Sequence, residues 1–469
     1  MADELISLGY KGESGGRTKS PSNNIKVGVI EPGPLNTEHV GWLDWRGGPS
    51  RVKAAYHCDD TSCDITDMST VVEDKSHGTA VTWAIAGSIE QGQDPAYSSS
   101  TSRQNRSGML SEAEIYFYWA NTFYGHNIIT AFEQAIIDGV DIINMSFNTK
   151  GGQCSMTADS SSMNAAIADI LDTGILPIGC AGNTESIHGE CTLWYPALRS
   201  EIVAVSPLES FTGTPYENIE WSPWASVGGM PTQTLAGWTA TTAGIDIAAP
   251  GHYRLHFTDG TDTYSFTEIW GCSMATPIVS GAAGMLREVM NDLGWDGNDA
   301  KALMVNLMLL GDASDGTAGG HSYTRVSTKT GYGRLHMHYP SDDNLESPWD
   351  WSWRSFVMNE GDRISWPVGD GTPLSHEITD WKWAFLWFES ALDSTSDIVI
   401  AVWDTCPPGG GEEIVAIDPS FSLRKRIRLD DSDTEGRCLE MRAYAYLAPP
   451  EGTRVWSADY FHSGDPQLH

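Results

Sequence analysis

Short apolar runs alternate with helix-like stretches from about residue 25 onward, and this alternation constrains the fold more than any other feature. The apolar runs have the character of buried strands that end in small, polar or turn-forming residues, at 25–30, 114–120, 140–147, 175–182, 202–207 and 245–250. Helical candidates lie between and after them, at 77–89, 128–139, 162–174 and 273–294. Strands that alternate with helices predict an α/β fold, with a parallel sheet flanked by helices.

The character of the sequence changes near residue 340. Beyond it come about seven short β-rich segments separated by Gly, Pro, Asp and Ser, with no convincing amphipathic helix. Such segments predict an antiparallel β-sandwich, in this case jelly-roll-like. Because 469 residues are too many for one hydrophobic core, we expect an N-terminal extension over 1–24, an α/β domain over 25–340 and a sandwich domain over 341–469.

The C-terminal domain is rich in tryptophan, which allows two interpretations. Alternating tryptophans can form a carbohydrate-binding platform, but in strands they more often belong to the sandwich core. The tryptophans concerned are Trp349, Trp351, Trp353, Trp381, Trp383, Trp387 and Trp403. We expect core packing, and a role for the domain as either a stability module or a binding module.

The charge of the chain excludes some partners. There are 62 acidic against 28 basic residues, a formal charge of −34, which would repel nucleic acid and anionic membranes alike. No apolar run approaches the roughly 18 to 20 residues that a membrane-spanning helix needs. The first residues lack a basic region followed by an apolar stretch, so we expect no signal peptide in this chain.

Three segments carry residues suited to acyl transfer. Glu31 ends the apolar run of KVGVIEPG, His77 begins the helix of SHGTAV, and Ser273 begins the helix of GCSMATP. Each alone has an ordinary explanation, such as a helix cap or a solvated carboxylate. Together they supply a hydroxyl, an imidazole to take its proton, and an acid to orient the imidazole. Strand ends and helix N-termini of an α/β sheet are places where such groups converge.

These segments resemble the subtilisin-like (subtilase) family of serine proteases. Val29-Ile30-Glu31 with Gly33 resembles the motif V-I-D-[ST]-G, and His77-Gly78-Thr79 resembles H-G-T-H. The segment 271–277 resembles G-T-S-M-A-[ST]-P, and 181–183 resembles A-G-N. With further matches at 131–147, WYPALRSEIVAVSP, DIAAPG and GYGRLHMH, the resemblance covers roughly 24–340 in the family's order.

The resemblance implies a serine endopeptidase that acts on polypeptides. In it Ser273 is the nucleophile, His77 is the general base, and Glu31 occupies the position of the usual aspartate. The Asn183 side chain and the Ser273 backbone N–H would bind the oxyanion. Ser146, Phe147 and Asn148 match the strand segment that pairs with extended substrate. Gly179, Ala181 and Gly182 match a wall of the primary specificity pocket, whose lack of charge favours a neutral or apolar substrate side chain.

Two departures from the family motifs leave the function open. Glu31 is one methylene longer than aspartate, so the alternatives to an active peptidase are a catalytically silent binding protein and a peptide ligase or cyclase. Cys272 replaces a threonine whose hydroxyl is thought to support the oxyanion. We expect Cys272 to be a packed, inert thiol; the alternative is a redox-sensitive switch.

The eight cysteines lack paired CxxC spacing, which argues against a structural zinc site. Eight cysteines allow 105 connectivities, although Cys58 and Cys63 flank a loop short enough for them to close. The family resemblance implies the pair Cys154–Cys191. Cys58–Cys63 and Cys406–Cys438 then follow as local pairs, with Cys180 and Cys272 left as free thiols in the core. Several disulfides predict an extracellular, periplasmic or cell-surface location.

The resemblance also carries expectations about cofactors and assembly. No cofactor is required, although a structural calcium ion is an expectation from the family and the acidic segment 58–67 is a candidate for it. Family members usually fold with a prodomain, which we expect to be absent here because Glu31 lies so close to Met1. We expect a monomer that binds neither nucleic acid nor membrane.

Overall fold

The fold is described from a computed structural model. The described residues are 24–43, 49–88, 108–121, 125–149, 161–184, 192–209, 220–222, 225–226, 233–234, 237–238, 244–257, 265–292, 294–295, 298–312, 317–318, 321–322, 331–335, 349–367, 378–387, 397–407, 410–418, 424–430, 437–448 and 452–463.

The N-terminal part alternates strands and helices, as the sequence predicts. Its strands are β1 (Lys26–Glu31), β2 (Val52–Cys58), β3 (Cys63–Ile65), β4 (Glu114–Trp119), β5 (Ile142–Met145), β6 (Leu176–Cys180), β7 (Val203–Glu209), β8 (Glu220–Trp221), β9 (Gln233–Thr234), β10 (Gly237–Trp238), β11 (Ile247–Pro250), β12 (His252–Phe257), β13 (Ser265–Trp270), β14 (Gly311–Asp312), β15 (Thr317–Ala318), β16 (His321–Ser322) and β17 (Arg334–Leu335). Its helices are α1 (Ser76–Ala86), α2 (Gly125–Asp138), α3 (Ser161–Asp172), α4 (Cys272–Asp292) and α5 (Ala300–Leu309), with 3-10 turns at Val40–Trp42 and Met68–Thr70.

The main sheet of this part is largely parallel. Its strand order is β14-β17-β11-β7-β6-β5-β1-β4-β2-β3, and β8 pairs with β7. Strand β1 lies between β4 and β5, and both pairs are parallel. The carboxyl ends of β1, β5 and β6 therefore lie along one edge of the sheet, where α/β proteins place their ligands.

Both faces of the sheet are covered, which explains why its strands are apolar throughout rather than alternating. Val27 and Val29 belong to one buried cluster with α4 residues, while Ile30 belongs to a second cluster with α2 residues. The methionine-rich stripe of α4 lies in the first cluster. Met285, Leu286, Val289 and Met290 of this stripe pack in the core.

The C-terminal part consists of two four-stranded antiparallel sheets, as predicted. Its strands are β18 (Trp349–Met358), β19 (Arg363–Pro367), β20 (Ile378–Trp387), β21 (Asp397–Asp404), β22 (Glu413–Asp418), β23 (Arg424–Asp430), β24 (Leu439–Leu447) and β25 (Thr453–Ser463). The orders are β18-β25-β20-β23 and β19-β24-β21-β22, so the chain passes repeatedly between the sheets, as in a jelly roll. Trp383 is fully buried in this sandwich, which confirms the core assignment for that tryptophan.

Helix α5 connects the two parts, and the sequence alone did not reveal this helix. It packs against β18, β20 and β25 of the sandwich. Ala384, Leu386, Trp456 and Ala458 of the sandwich belong to the same buried cluster as the α/β core. The predicted boundary at residue 340 lies outside the described residues.

Three disulfides join described cysteines. Cys58–Cys63 and Cys406–Cys438 are present, as expected. Cys154 and Cys191 lie outside the described residues.

The expectation that Cys180 and Cys272 are free thiols is wrong, because these two cysteines form a disulfide. Cys180 ends β6 and Cys272 begins α4, which brings their Cα atoms to 5.2 Å, within the span that a disulfide bridges. Their separation of 92 residues concealed this proximity in the sequence.

Among the described residues, no helix has both the length and the apolar character needed to cross a membrane.

Candidate active site

Glu31 and His77 form a close pair at the carboxyl edge of the sheet. Glu31 is the last residue of β1 and is fully buried. Its Oε2 lies 2.8 Å from Nδ1 of His77, the second residue of α1. The longer glutamate side chain thus reaches the imidazole. His77 then presents Nε2 as its proton-accepting nitrogen, because Nδ1–H is committed to the carboxylate.

The residues after His77 explain how the pair is held together. A Cβ on Gly78 would lie only 2.7 Å from the Pro34 carbonyl oxygen and 2.9 Å from that of Gly33. Only glycine therefore lets α1 approach the turn that follows β1. Thr79 Oγ1 accepts a hydrogen bond of 3.0 Å from the Asn36 N–H of the same segment. The helix start and the strand end are thus packed as one unit.

The pKa of His77 is raised above its usual value of 6.5, mainly by the Glu31 carboxylate. Burial opposes this shift, and Asp74 adds a smaller contribution in the same direction as Glu31. Within the part of the chain that the structure describes, the second carboxylate oxygen of Glu31, Oε1, is buried and has no hydrogen-bond partner. The buried Glu31 carboxylate therefore interacts with His77 through its other oxygen, Oε2.

Ser273 is the second residue of α4, where unpaired backbone N–H groups and the helix dipole favour negative charge. Helix α4 packs against α1, which carries His77. Among the described contacts, Ser273 Oγ makes no hydrogen bond to His77. Hydrogen bonds between catalytic groups often tighten only when substrate is bound.

One small space lies between Gly271, Asn183 and Ser273. A Cβ placed on Gly271 would lie 3.0 Å from Ser273 Oγ, 3.3 Å from Asn183 Nδ2 and 3.7 Å from the Ser273 backbone nitrogen. Gly271 also has a φ of 133°, which favours glycine. The absent side chain leaves a space bordered by a hydroxyl and by two N–H donors. An oxygen atom at this Cβ position would lie within hydrogen-bonding range of Asn183 Nδ2 and 3.7 Å from the Ser273 nitrogen.

The amide of Asn183 is oriented by the backbone of α4. Its Oδ1 accepts a 2.8 Å hydrogen bond from the Cys272 N–H, which leaves Nδ2 to face the space beside Gly271. Gly182 N–H points to Cys272 Sγ at 3.1 Å. The segment after β6 and the start of α4 are therefore linked by hydrogen bonds as well as by the Cys180–Cys272 disulfide.

The predicted substrate-binding residues lie at or just after the carboxyl ends of the adjacent parallel strands β5 and β6, where α/β sheets have their ligand-binding crevice. Ser146 and Phe147 follow β5 and are buried, and Ser146 Oγ accepts a 2.9 Å hydrogen bond from Asn144 Nδ2. Asn148 Nδ2 donates to the Cys180 carbonyl oxygen at 2.7 Å and so spans the crevice. Opposite them, Gly179 lies in β6, and Ala181 and Gly182 follow it.

Trp194 also contributes to this region, although no sequence pattern points to it. Its Cδ1 lies 2.6 Å from the position of a Cβ on Gly182, and its Nε1 donates to Thr184 Oγ1 at 3.0 Å. Trp194 is half-buried. A large aromatic side chain thus stands beside Gly182, one of the residues of the predicted pocket wall.

The acidic segment 58–67 does not fit a calcium site. Asp59 Oδ1 accepts hydrogen bonds from the Thr61 and Ser62 backbone, and Asp67 Oδ1 accepts them from Ser69. These carboxylates stabilise turns and do not converge on one point. Across the described ranges, no three His, Cys, Asp or Glu side chains are placed to bind a metal ion.

The chain matches known proteins over its N-terminal two thirds. The profile of the subtilase family matches residues 22–333. Subtilisin DY of Bacillus licheniformis is 27% identical over 293 residues, which are 61% of this chain and 81% of that protein. Halolysin of Haloferax mediterranei is 27% identical over 271 residues, 58% of this chain and 43% of that protein. The match thus spans less than two thirds of halolysin. It also spans less than two thirds, 58%, of subtilisin amylosacchariticus of Bacillus subtilis subsp. amylosacchariticus.

Sphericase is among the solved structures to which this chain is similar. It is 20% identical, with a TM-score of 0.48, and the match covers 70% of this chain and 97% of sphericase. The family profile spans well over half of the present chain and includes every predicted catalytic position. The chain belongs to the subtilase family.

Proposed function

We propose that this subtilase is an active serine endopeptidase with a Ser273–His77–Glu31 triad. The observation that carries the proposal is the space beside Gly271, which is bordered by Ser273 Oγ, the Ser273 N–H nitrogen and Asn183 Nδ2. A nucleophile and two oxyanion donors around one vacant position are what acyl transfer needs. Membership of a peptidase family supports the same conclusion.

In the proposed reaction, Ser273 Oγ attacks the carbonyl carbon of the substrate peptide bond while His77 Nε2 takes the hydroxyl proton. The carbonyl oxygen moves into the space beside Gly271 and gains negative charge between Asn183 Nδ2–H and the Ser273 N–H. His77 then protonates the leaving amine, and the C–N bond breaks to give an acyl-enzyme. A water molecule, deprotonated by His77, releases the carboxylic acid product.

Glu31 would support both proton transfers. Its buried carboxylate lies 2.8 Å from His77 Nδ1, so it fixes the tautomer that leaves Nε2 free to accept a proton. The same charge stabilises the imidazolium that forms after the first transfer, which agrees with the raised pKa of His77. The glutamate then performs the role for which the family usually uses aspartate.

The substrate and location in this proposal follow from the crevice and the surface. Extended polypeptide would pair with the backbone of 146–148 and place the side chain before the cleaved bond near 179–182. The formal charge of −34 and the disulfides suit a protein that works outside the reducing cytosol. We therefore propose an extracellular peptidase.

Labelling with a fluorophosphonate probe tests this proposal. The wild-type protein should form a covalent adduct at Ser273, and Ser273→Ala should form none. Folded wild-type protein that fails to label would favour a catalytically silent binding protein. Product masses from a peptide library then separate hydrolysis from ligation, because ligation joins two peptides whereas hydrolysis adds water.

A further inference from the structure

We propose that the Cys180–Cys272 disulfide is a positioning device for the oxyanion hole. The proposal rests on the function proposed above and adds to it a covalent link that sets the distance between the two oxyanion donors. Cys272 directly precedes Ser273, the source of one donor. Cys180 lies three residues before Asn183, the source of the other.

The two donors belong to different elements, and this separation is the physical problem that the disulfide solves. The Ser273 N–H is part of α4, whereas Asn183 follows β6 in a segment without regular secondary structure. An oxyanion hole is effective only when its donors are fixed before the charge develops. Small displacements between β6 and α4 would change the distance between the donors directly.

The contacts around the disulfide point to the donors. Cys272 N–H donates to Asn183 Oδ1 at 2.8 Å, and the Gly182 N–H lies 3.1 Å from Cys272 Sγ. These two hydrogen bonds form a small network with the S–S bond between Cys180 and Cys272. The network ends on the side chain whose Nδ2 borders the space beside Gly271. The geometry of this network therefore determines the direction of the Asn183 side-chain amide.

The other two disulfides of the described chain have a different setting. Cys58–Cys63 closes the hairpin between β2 and β3, and Cys406–Cys438 lies in the C-terminal sandwich. Both cysteines of the Cys180–Cys272 pair are at most 1% exposed, and both belong to elements that border the candidate active site. The Cys180–Cys272 disulfide is thus placed for positioning. Cys406–Cys438 offers a matched structural control.

The test compares the variant Cys180→Ala/Cys272→Ala with the control Cys406→Ala/Cys438→Ala, both in the full chain. We expect kcat of the first variant to fall about 10- to 100-fold, because a small misplacement of a catalytic donor has an effect of this size. We expect its KM for a peptide to change by less than about threefold, since the lost interaction is made in the transition state. The control should keep the wild-type kcat.

A second readout separates positioning from general stability. A peptide boronate forms a tetrahedral anion on Ser273 and occupies the oxyanion hole, whereas an uncleaved peptide does not. Its affinity should fall in parallel with kcat in Cys180→Ala/Cys272→Ala. The measurements are made well below the melting temperature of each variant, which is determined separately.

The outcomes are distinguishable. A lower melting temperature with unchanged kcat and unchanged boronate affinity would overturn the positioning role. Peptide mapping that finds Cys180 and Cys272 as free thiols in the purified protein would overturn it too. Wild-type protein that fails to label at Ser273 would instead overturn the proposed function, and the positioning role with it.

Discussion

At the scale of single residues, the pair Glu31 and His77 determines how the site responds to pH. The buried carboxylate 2.8 Å from Nδ1 raises the pKa of His77 above its usual 6.5. His77 accepts a proton in the proposed mechanism only when it is neutral. Activity therefore rises as the pH passes upward through the raised pKa, and it is lost below that pKa.

This leads to a prediction for kcat/KM as a function of pH. The acidic limb of the wild-type profile should have its midpoint above pH 6.5. The residual activity of Glu31→Gln should show a lower midpoint, because the charge that raises the pKa is gone. Asp74→Asn is the matched control and should lower the midpoint less, since Asp74 contributes less to the shift. Identical midpoints in wild type and Glu31→Gln would contradict the assignment.

At the scale of elements, the approach of α1 to the turn after β1 depends on Gly78. A Cβ there would lie within 2.9 Å of two carbonyl oxygens, so Gly78→Ala must displace the start of the helix. We expect a loss of about 1–3 kcal/mol in the free energy of unfolding and about a tenfold or greater loss of kcat. Chemical denaturation and peptide hydrolysis measure the two effects.

Gly125→Ala provides the control for this substitution. Gly125 begins α2, and a Cβ there would meet nothing nearer than Met163 Cε at 3.5 Å. Because alanine favours helix, this variant should be as stable as wild type or slightly more stable. Equal free energies of unfolding and equal kcat for Gly78→Ala and Gly125→Ala would show that the close packing at Gly78 affects neither stability nor activity.

The crevice between β5 and β6 leads to a prediction about specificity. Trp194 stands against Gly182, and Asn148 spans the crevice to the Cys180 carbonyl oxygen. We propose that these two side chains fill part of the predicted specificity pocket, and we therefore expect preference for Gly, Ala or Ser before the cleaved bond. Trp194→Ala should raise kcat/KM for Leu and Phe substrates by about tenfold or more relative to Ala substrates.

Profiling on a peptide library measures this preference. Trp403→Ala is a suitable control, because Trp403 is also half-buried but packs on Arg442 in the sandwich. An unchanged profile in Trp194→Ala would mean that this side chain does not border the specificity pocket.

The sequence predicts the sheet and most of its helices, because these depend on local patterns. The alternation of apolar runs and helices predicts most elements, and short motifs contain Glu31, His77, Asn183 and Ser273. The Cys180–Cys272 disulfide depends on two positions 92 residues apart, for which no spacing rule exists. The role of Trp194 likewise depends on a contact between separate segments.

At the scale of the whole molecule, the sandwich and the α/β part share one apolar core through α5. Trp456 of β25 is 6% exposed and belongs to the cluster that also contains α5 residues. Its Nε1 donates to Asp299 Oδ2 at 3.1 Å, and Asp299 also caps α5. From this arrangement we propose that the C-terminal domain stabilises the α/β part. The contact itself cannot be predicted from sequence patterns, because it depends on packing between separate segments of the chain.

We therefore predict that Trp456→Ala lowers the free energy of unfolding by about 3–5 kcal/mol, as for other buried tryptophans. Loss of peptidase activity and loss of sandwich structure should occur in one transition during chemical denaturation. Two separate transitions, with activity unaffected by the substitution, would show that the sandwich is energetically independent.

The central claim, an active peptidase in which glutamate is the triad acid, is tested most directly by kcat/KM for wild type, Glu31→Asp and Glu31→Gln on one peptide. Glu31→Gln should lose about 10³- to 10⁴-fold, because the histidine tautomer is no longer fixed. Glu31→Asp should retain far more activity, since it keeps the carboxylate although its side chain is one methylene shorter. A Glu31→Gln variant as active as wild type would contradict the account.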